Sequence, residues 1–166
     1  MTVVDYRRAL HRIPELDDRL PETAAYVRSV LAPLGCEVSS PIPGSVCAWF
    51  DRGQAGTVAF RADMDALPVE EKTGLPFASV HPGAMHACGH DGHTAMALAL
   101  AEYAAACPDL KRNVLLLFQP AEETTGGSAL PDGDSAGTPG GSGVRPPYLA
   151  GASGGESVLP SRPPYG

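Results

Sequence analysis

The stretch NVLLLFQP, residues 113–120, contains five consecutive large apolar residues and ends on a proline. Such a run is typical of a strand that is buried on both faces, because side chains of both alternating sets then avoid water. Burial of each such side chain contributes roughly 1.5–3 kcal/mol. The stretch therefore predicts the central strand of a sheet that is covered by other elements.

The segments before this strand predict further strands and several helices. Helical spacing of apolar residues and period-two alternation separate the two kinds of segment. The predicted helices span 2–12, 21–34 and 92–106, and the predicted strands span 36–39, 46–50 and 57–65. This order favours an α/β fold in which a mixed sheet is flanked by helices.

The composition excludes several classes of function. The formal net charge is −7 and the pI is about 5.1, so a nucleic-acid backbone is not an expected partner. No apolar run approaches the roughly 20 residues that cross a bilayer, and Met1–Arg12 lacks the apolar core of a secretory signal. The four cysteines contain no CxxC pair and are expected to be reduced thiols. We therefore expect a cytoplasmic protein.

The last 41 residues, 126–166, differ from the rest in composition. They contain 11 Gly and 7 Pro and no hydrophobic periodicity. A segment of this kind buries too little apolar surface to offset its ordering entropy, so we expect a disordered tail. The predicted domain boundary lies at residue 125, after a folded portion that spans 1–125.

The stretch MHACGHDGHTAM, residues 85–96, is rich in metal-binding residue types. Cys88 and His90 are two apart, so they point the same way in a loop or extended backbone. We expect Asp91 to be the N-cap of the following helix, and the helix N-terminus to lower the pKa of the Cys88 thiol. A thiolate with an imidazole suits zinc and related transition metals. The alternative is a structural one, with His90 capping the helix and Cys88 filling the core.

Carboxylates follow two of the predicted strands. Arg61, Asp63 and Asp65 share one face at the end of strand 57–65, and Glu122 and Glu123 follow the central strand. Loops at the carboxyl ends of neighbouring strands meet at one edge of an α/β sheet. One glutamate there can bind a metal while its neighbour accepts a proton. Two adjacent glutamates are also common as an exposed pair on a solvated surface.

Four segments, taken in order, closely resemble one known hydrolase family. They are HRIPEL, RADMDALPVEEKTGLPFAS, HPGAMHACGHDGHTAMALALA and NVLLLFQPAEE. The family is the amidohydrolase branch of the co-catalytic metallopeptidase-like enzymes, which includes hippurate hydrolase and N-acyl-amino-acid amidohydrolases. The resemblance runs from about Tyr6 to Gly127 and covers about the first third of a typical member. It implies a partial three-layer catalytic domain, hydrolysis of N-acyl amino acids and a homodimer in full-length relatives.

The resemblance also implies roles for individual residues. Cys88, His90 and Glu123 look like ligands of a site for two divalent metals (Zn, Mn or Co), with the thiolate bridging them. Glu122 resembles the general base, which deprotonates the attacking water and delivers the proton to the leaving amine. Asp65 resembles a carboxylate that orients a ligand. The remaining matches are not assigned to the metal and are expected to be structural: His11, His86, Asp91 and His93.

The sequence departs from the family pattern after Thr125–Gly127. Family members carry further histidine ligands and a lid and dimerisation domain downstream, whereas the last histidine here is His93. The tail composition suggests a truncated gene or a coding sequence read out of frame. The alternative to an active amidohydrolase is therefore a catalytically inactive fragment that is at most a weak metal-binding module.

Overall fold

A four-stranded mixed sheet forms the centre of the protein. The structure is a computed structural model and describes residues 1–125, with side chains as far as Glu123. The strands lie in the order β1-β2-β4-β3, and their bounds are β1 Glu37–Ser39, β2 Val46–Phe50, β3 Thr57–Asp63 and β4 Asn113–Gln119. The predicted mixed sheet with flanking helices is confirmed. The predicted tail, 126–166, and the boundary at 125 concern residues outside the described part.

Strands β3 and β4 are parallel, whereas β2 is antiparallel to both β1 and β4. The β3–β4 register pairs Thr57 with Asn113 and Asp63 with Gln119. The backbone N–H of Met64 donates to the carbonyl of Gln119 at 2.8 Å, which continues the contact past the end of β3. Because both strands run in the same direction, the residues that follow them emerge at the same edge of the sheet.

The helices have local signals at their ends. Their bounds are α1 Val3–His11, α2 Pro21–Leu31, α3 His90–Ala106 and α4 Glu122–Thr125, with a short 3-10 turn at Ala32–Leu34. Thr2 and Asp5 form a capping box at the start of α1. Pro21 occupies the first turn of α2, where its missing N–H has no helical partner to lose. Gly35 follows the 3-10 turn with φ 68°, a conformation that suits glycine.

The core lies between α3 and the sheet. Helix α3 packs against β3, β4 and β2, and α1 and α2 pack against α3. The α3 residues of this interface are small apart from Leu98, so the helix approaches the strands closely; the buried ones include Ala95, Ala97, Leu98, Ala101 and Ala104. The fold therefore holds the N-terminus of α3 beside the edge where β3 and β4 end.

Several predicted bounds differ from the structure by one to three residues, and three differences concern the elements around the site. Helix α3 begins at His90, two residues earlier than the pattern predicted, and β3 ends at Asp63. In β4, Val114, Leu116 and Phe118 are buried while the two leucines between them are half-buried, so only one face of the strand is fully covered. The three buried residues belong to the hydrophobic core that the sheet shares with α2 and α3, whereas Leu115 and Leu117 do not. Within residues 1–125, no helix is long and apolar enough to cross a membrane.

Candidate metal centre

The turn before α3 positions Cys88 and His90. Gly89 lies between them at the N-cap with φ 93°, a backbone conformation that L side chains rarely adopt. This left-handed residue ends the preceding loop and starts the helix at His90. The prediction that Asp91 is the N-cap is wrong, because the helix already includes Asp91 in its first turn. The Asp91 side chain instead accepts a bond from the N–H of Gly92 at 2.9 Å.

A second turn positions Glu123. After β4 the chain turns at Ala121, a non-glycine residue with φ 58°, whose N–H donates to the carbonyl of Asp17 at 3.0 Å. The N–H of Glu123 then donates to Oδ2 of Asp65 at 2.9 Å. Asp65 comes two residues after β3, so the parallel pairing of β3 and β4 brings these two turns together.

The structure brings the three predicted ligands together. One donor atom from each of Cys88, His90 and Glu123 lies within 4.8 Å of the other two. Nε2 of His90 is 3.8 Å from Oε1 of Glu123. A sulfur, an imidazole nitrogen and a carboxylate oxygen at this spacing suit a divalent transition metal such as zinc. The donor set therefore fits a cation.

The orientation of His90 is fixed by Asp65. Its Nδ1 donates to the carbonyl oxygen of Asp65 at 2.9 Å and lies 3.3 Å from Oδ1 of the same residue. A ring nitrogen held in this way leaves Nε2 facing Glu123, which is the arrangement found around metal-ligating histidines. The interaction with the Asp65 carboxylate outweighs burial and raises the pKa of His90 to about 9.

Asp65 is buried and stays ionised. Burial raises the pKa of its carboxyl group, but hydrogen bonds from His90 and from the N–H groups of Glu123 and Glu122 outweigh burial, so the pKa is lowered overall. The carboxylate touches a residue on each side of the predicted site. Asp65 thus contacts both the ring of His90 and the backbone of Glu123, and its role in orienting metal ligands stays a prediction.

The pKa of Cys88 departs from the sequence prediction. The helix N-terminus was expected to lower it, whereas it is raised, mainly by burial of the thiol and also by the negative charges of Glu123 and Asp65. The backbone N–H of His90 offsets these effects only in part. The carboxylates that suit the site to a cation also disfavour a thiolate, and the positive charge of a bound cation would oppose that effect.

The other matching residues have different environments. Glu122 is half-buried and begins α4, directly before Glu123. His93 is exposed, and its ring centroid is 6.0 Å from that of His90. His86 is buried, and burial lowers its pKa to about 4. His11 is buried against Asp91, with Nδ1 2.8 Å from Oδ2. The sequence pattern missed this last contact, because 80 residues separate the two and no spacing rule joins them.

An open groove lies between β3 and the first half of α3. Its volume is about 400 Å³. Three of its members, Arg61, Asp63 and His93, are polar, and Nη2 of Arg61 is 3.1 Å from Oδ2 of Asp63, which agrees with the prediction that these two share a face of β3. The lining residues are Phe60, Arg61, Asp63, His93, Met96, Ala97 and Leu100.

Comparison with known sequences identifies a family to which this chain is similar. The sequence profile of peptidase family M20/M25/M40 matches residues 59–145. The matched range contains all five predicted site residues and continues past residue 127, where the family pattern was expected to end. An uncharacterized hydrolase of Staphylococcus epidermidis is 43% identical over 126 residues, which cover 74% of this chain and 33% of the relative. The chain thus spans about a third of the length of the curated relatives it matches.

Solved structures agree with this comparison. A dinuclear metal-binding peptidase of the M20 family from Bacillus subtilis is 40% identical, with a TM-score of 0.68 over 72% of this chain and 34% of that chain. A proposed aminohydrolase from methicillin-resistant Staphylococcus aureus is 44% identical, with a TM-score of 0.72 over 75% of this chain and 34% of that chain. Since the profile covers just over half of the sequence, this chain belongs to peptidase family M20/M25/M40.

Proposed function

We propose that this chain is the N-terminal portion of a cytoplasmic, metal-dependent hydrolase that cleaves the amide bond of N-acyl amino acids. The observation that carries the proposal is the convergence of Cys88, His90 and Glu123. Glu122 directly precedes Glu123 at the start of α4. The family and the hydrolase names of the relatives support hydrolysis, and the dinuclear peptidase of Bacillus subtilis supports a metal site. The choice of N-acyl amino acids follows from the resemblance of the motifs to that branch.

Three side chains would hold the cation: Cys88 through sulfur, His90 through Nε2 and Glu123 through its carboxylate. A bound Zn²⁺, Mn²⁺ or Co²⁺ would supply Lewis-acid polarisation of the amide carbonyl and a lower pKa for water at the site. Asp65 keeps the imidazole of His90 and the backbone of Glu123 in place. The two hydrogen bonds of Asp65 therefore define where the ligands sit relative to each other.

Glu122 is the proposed general base. Its carboxylate accepts a proton as the water oxygen bonds to the amide carbon. When the C–N bond breaks, Glu122 returns that proton to the leaving nitrogen. The products are a carboxylic acid and a free amino acid, so no oxidant or further reactant is needed.

A second candidate function is metal binding without turnover. The observation that favours it is the number of donors, since the group found within residues 1–125 has three members. Relatives whose names imply hydrolysis are about three times as long as the matched part. An incomplete set of ligands weakens metal affinity and leaves the substrate without the remaining part of its pocket.

One experiment separates the two candidates. The purified chain is analysed for bound metal and assayed on N-acetyl and N-benzoyl amino acids with added Zn²⁺, Mn²⁺ or Co²⁺. If it is a hydrolase, Glu122→Gln abolishes turnover and keeps the metal, because the amide cannot accept the proton but the three ligands remain. Cys88→Ala is the matched control and lowers metal content. Bound metal with no turnover favours the second candidate, and equal turnover in Glu122→Gln removes the base assignment.

A further inference from the structure

His11 is a buried histidine that the proposed mechanism does not use. It lies in the last turn of α1 and is 3% exposed. Each ring nitrogen faces a carboxylate: Nδ1 is 2.8 Å from Oδ2 of Asp91, and Nε2 is 3.3 Å from Oε1 of Glu71. Two polar contacts at a buried ring fix its orientation more strictly than packing alone.

The contact with Asp91 leads directly to the proposed metal ligands. Asp91 is 1% exposed and follows His90 in the first turn of α3. Its Oδ2 also accepts from Nε of Arg7 at 3.2 Å, while its Oδ1 accepts from the N–H of Gly92 at 2.9 Å. Asp91 is therefore bonded on one side to α1 and on the other to the first turn of α3.

The contact with Glu71 ties the same ring to a loop. Oε2 of Glu71 accepts from the N–H of Ser79 at 2.6 Å, and Oε1 accepts from the hydroxyl of Thr73. The Glu71 side chain is 3% exposed, so these bonds are shielded from water. His11 thus joins three separate parts of the chain: α1, the loop 71–79 and the N-terminus of α3.

We infer that His11 is a positioning residue for the proposed metal site, acting through Asp91 on the turn Cys88–Gly89–His90. The inference rests on the proposed function, because it assumes that this turn holds a cation. Gly89, at φ 93°, has more backbone freedom than any other residue type. The conformation of the turn therefore depends on contacts with other parts of the chain. Two α1 side chains, Arg7 and His11, contact Asp91, and of these only His11 is buried.

The expected change in metal affinity depends on how many residues lie between His11 and the proposed ligand His90. Residues that hold a ligand in place typically change metal affinity 10–100-fold when they are removed. His11 acts one residue further away, through Asp91, so a loss near 10-fold is expected. A purely structural bond between two helices would lower stability without changing the environment of the metal.

Tyr6 provides the matched structural control. It lies on α1, and its hydroxyl donates to Glu102 on α3, about three helical turns from Asp91. Tyr6→Phe therefore removes a hydrogen bond between the same two helices, far from the turn.

Two conservative variants of His11 separate its two contacts. The amide of Asn can replace Nδ1 and reach Asp91, whereas the longer Gln places its amide near Nε2 and Glu71.

The test is a Co²⁺ titration of the full 166-residue chain, followed by thiolate-to-cobalt charge-transfer absorption. We expect His11→Ala to bind Co²⁺ about 10-fold more weakly, with a shifted absorption band. His11→Asn restores the affinity and the band, and His11→Gln does not. Tyr6→Phe lowers the thermal midpoint and leaves the band unchanged. If His11→Ala does not fold, the comparison of the Asn and Gln variants still decides the question.

Three results overturn the inference alone. The first is a wild-type chain that binds Co²⁺ with the same affinity and band as His11→Ala. The second is a Co²⁺ affinity and band of His11→Gln that equal those of His11→Asn. The third is a Tyr6→Phe variant in which Co²⁺ binding is weakened as much as in His11→Ala. A wild-type chain that binds no Co²⁺ removes the proposed site as well, and the inference with it.

Discussion

At the scale of single residues, the site depends on hydrogen bonds to Asp65. Its carboxylate and carbonyl contact His90, and its carboxylate also accepts from the backbone of Glu123. One buried acid therefore sets the positions of two proposed ligands that are 33 residues apart. A buried charge of this kind is stable only because each oxygen faces a positive or hydrogen-donating group.

The pKa of His90 predicts how the stability of the metal-free protein depends on pH. The folded-state pKa is about 9, above the ordinary value of 6.5, mainly because of the contact with Asp65. The protonated ring therefore stabilises the fold fully below about pH 6.5, and this contribution, on the order of 3 kcal/mol, is lost as pH rises through about 9. Thermal midpoints measured with a chelator at pH 6, 7.5 and 9.5 check the trend.

His90→Ala is the control for this pH dependence. Its midpoint is lower at pH 6 and falls less between pH 6 and pH 9.5, because the titrating ring is absent. The same slope in both proteins would show that another group causes the pH dependence. Added Zn²⁺ competes with the proton for the ring, so it reduces the slope in the wild type.

At the scale of elements, the turns that follow the parallel strands β3 and β4 position the carboxylate residues of the proposed site. These residues are Asp65 after β3 and Glu122 and Glu123 after β4. Ala121 adopts φ 58°, and this turn directs the N–H groups of Glu122 and Glu123 toward Asp65. A residue in this region costs of order 1 kcal/mol or more, and it persists where surrounding contacts require it. Here the requirement is the bond from the N–H of Ala121 to Asp17 together with the bonds of the following residues to Asp65.

Substitutions at Ala121 test the importance of this turn. Ala121→Gly removes the backbone strain but also a methyl group worth about 0.8 kcal/mol of burial, so its stability stays within about 1 kcal/mol of the wild type. Ala121→Val, whose branched side chain disfavours positive φ, lowers stability by about 1–3 kcal/mol and also weakens metal binding. Urea unfolding gives the free energies. Equal destabilisation by Val and Gly would mean that the turn does not need positive φ.

At the scale of the whole molecule, β3 is an edge strand of the described sheet. Residues 57–61 are exposed, with Val58 at 40% and Phe60 at 43%. An exposed edge with apolar side chains is prone to pair with another strand. The family relatives continue for about twice the matched length, whereas within residues 1–125 no strand pairs with the second edge of β3.

This edge predicts self-association of the chain. Val58→Lys is expected to reduce concentration-dependent association several-fold, because a charge on an edge strand opposes pairing. Val80→Lys is the matched control, since Val80 is 52% exposed and lies outside the sheet. Light scattering over a range of protein concentrations compares the two. A similar reduction by both variants would indicate a general effect of charge rather than pairing at β3.

The sequence by itself determined the elements and the kinds of chemistry. The apolar run of β4 predicted a central strand, and the motif around Cys88 and His90 predicted metal-binding residue types, because local periodicity and side-chain chemistry are properties of short segments. Element ends were less predictable: Asp91 resembles an N-cap residue, but Gly89 adopts the left-handed conformation that starts the helix earlier.

Only the tertiary structure decided which residues meet. The convergence of Asp65 and Glu123 depends on the parallel register of β3 and β4, which pairs residues 56 positions apart. The contact of His11 with Asp91 depends on the packing of α1 against α3. The raised pKa of Cys88 depends on burial and on charges that long-range folding brings close. Distances and electric fields across a fold arise from contacts far apart in the chain, and for that reason local sequence patterns do not contain them.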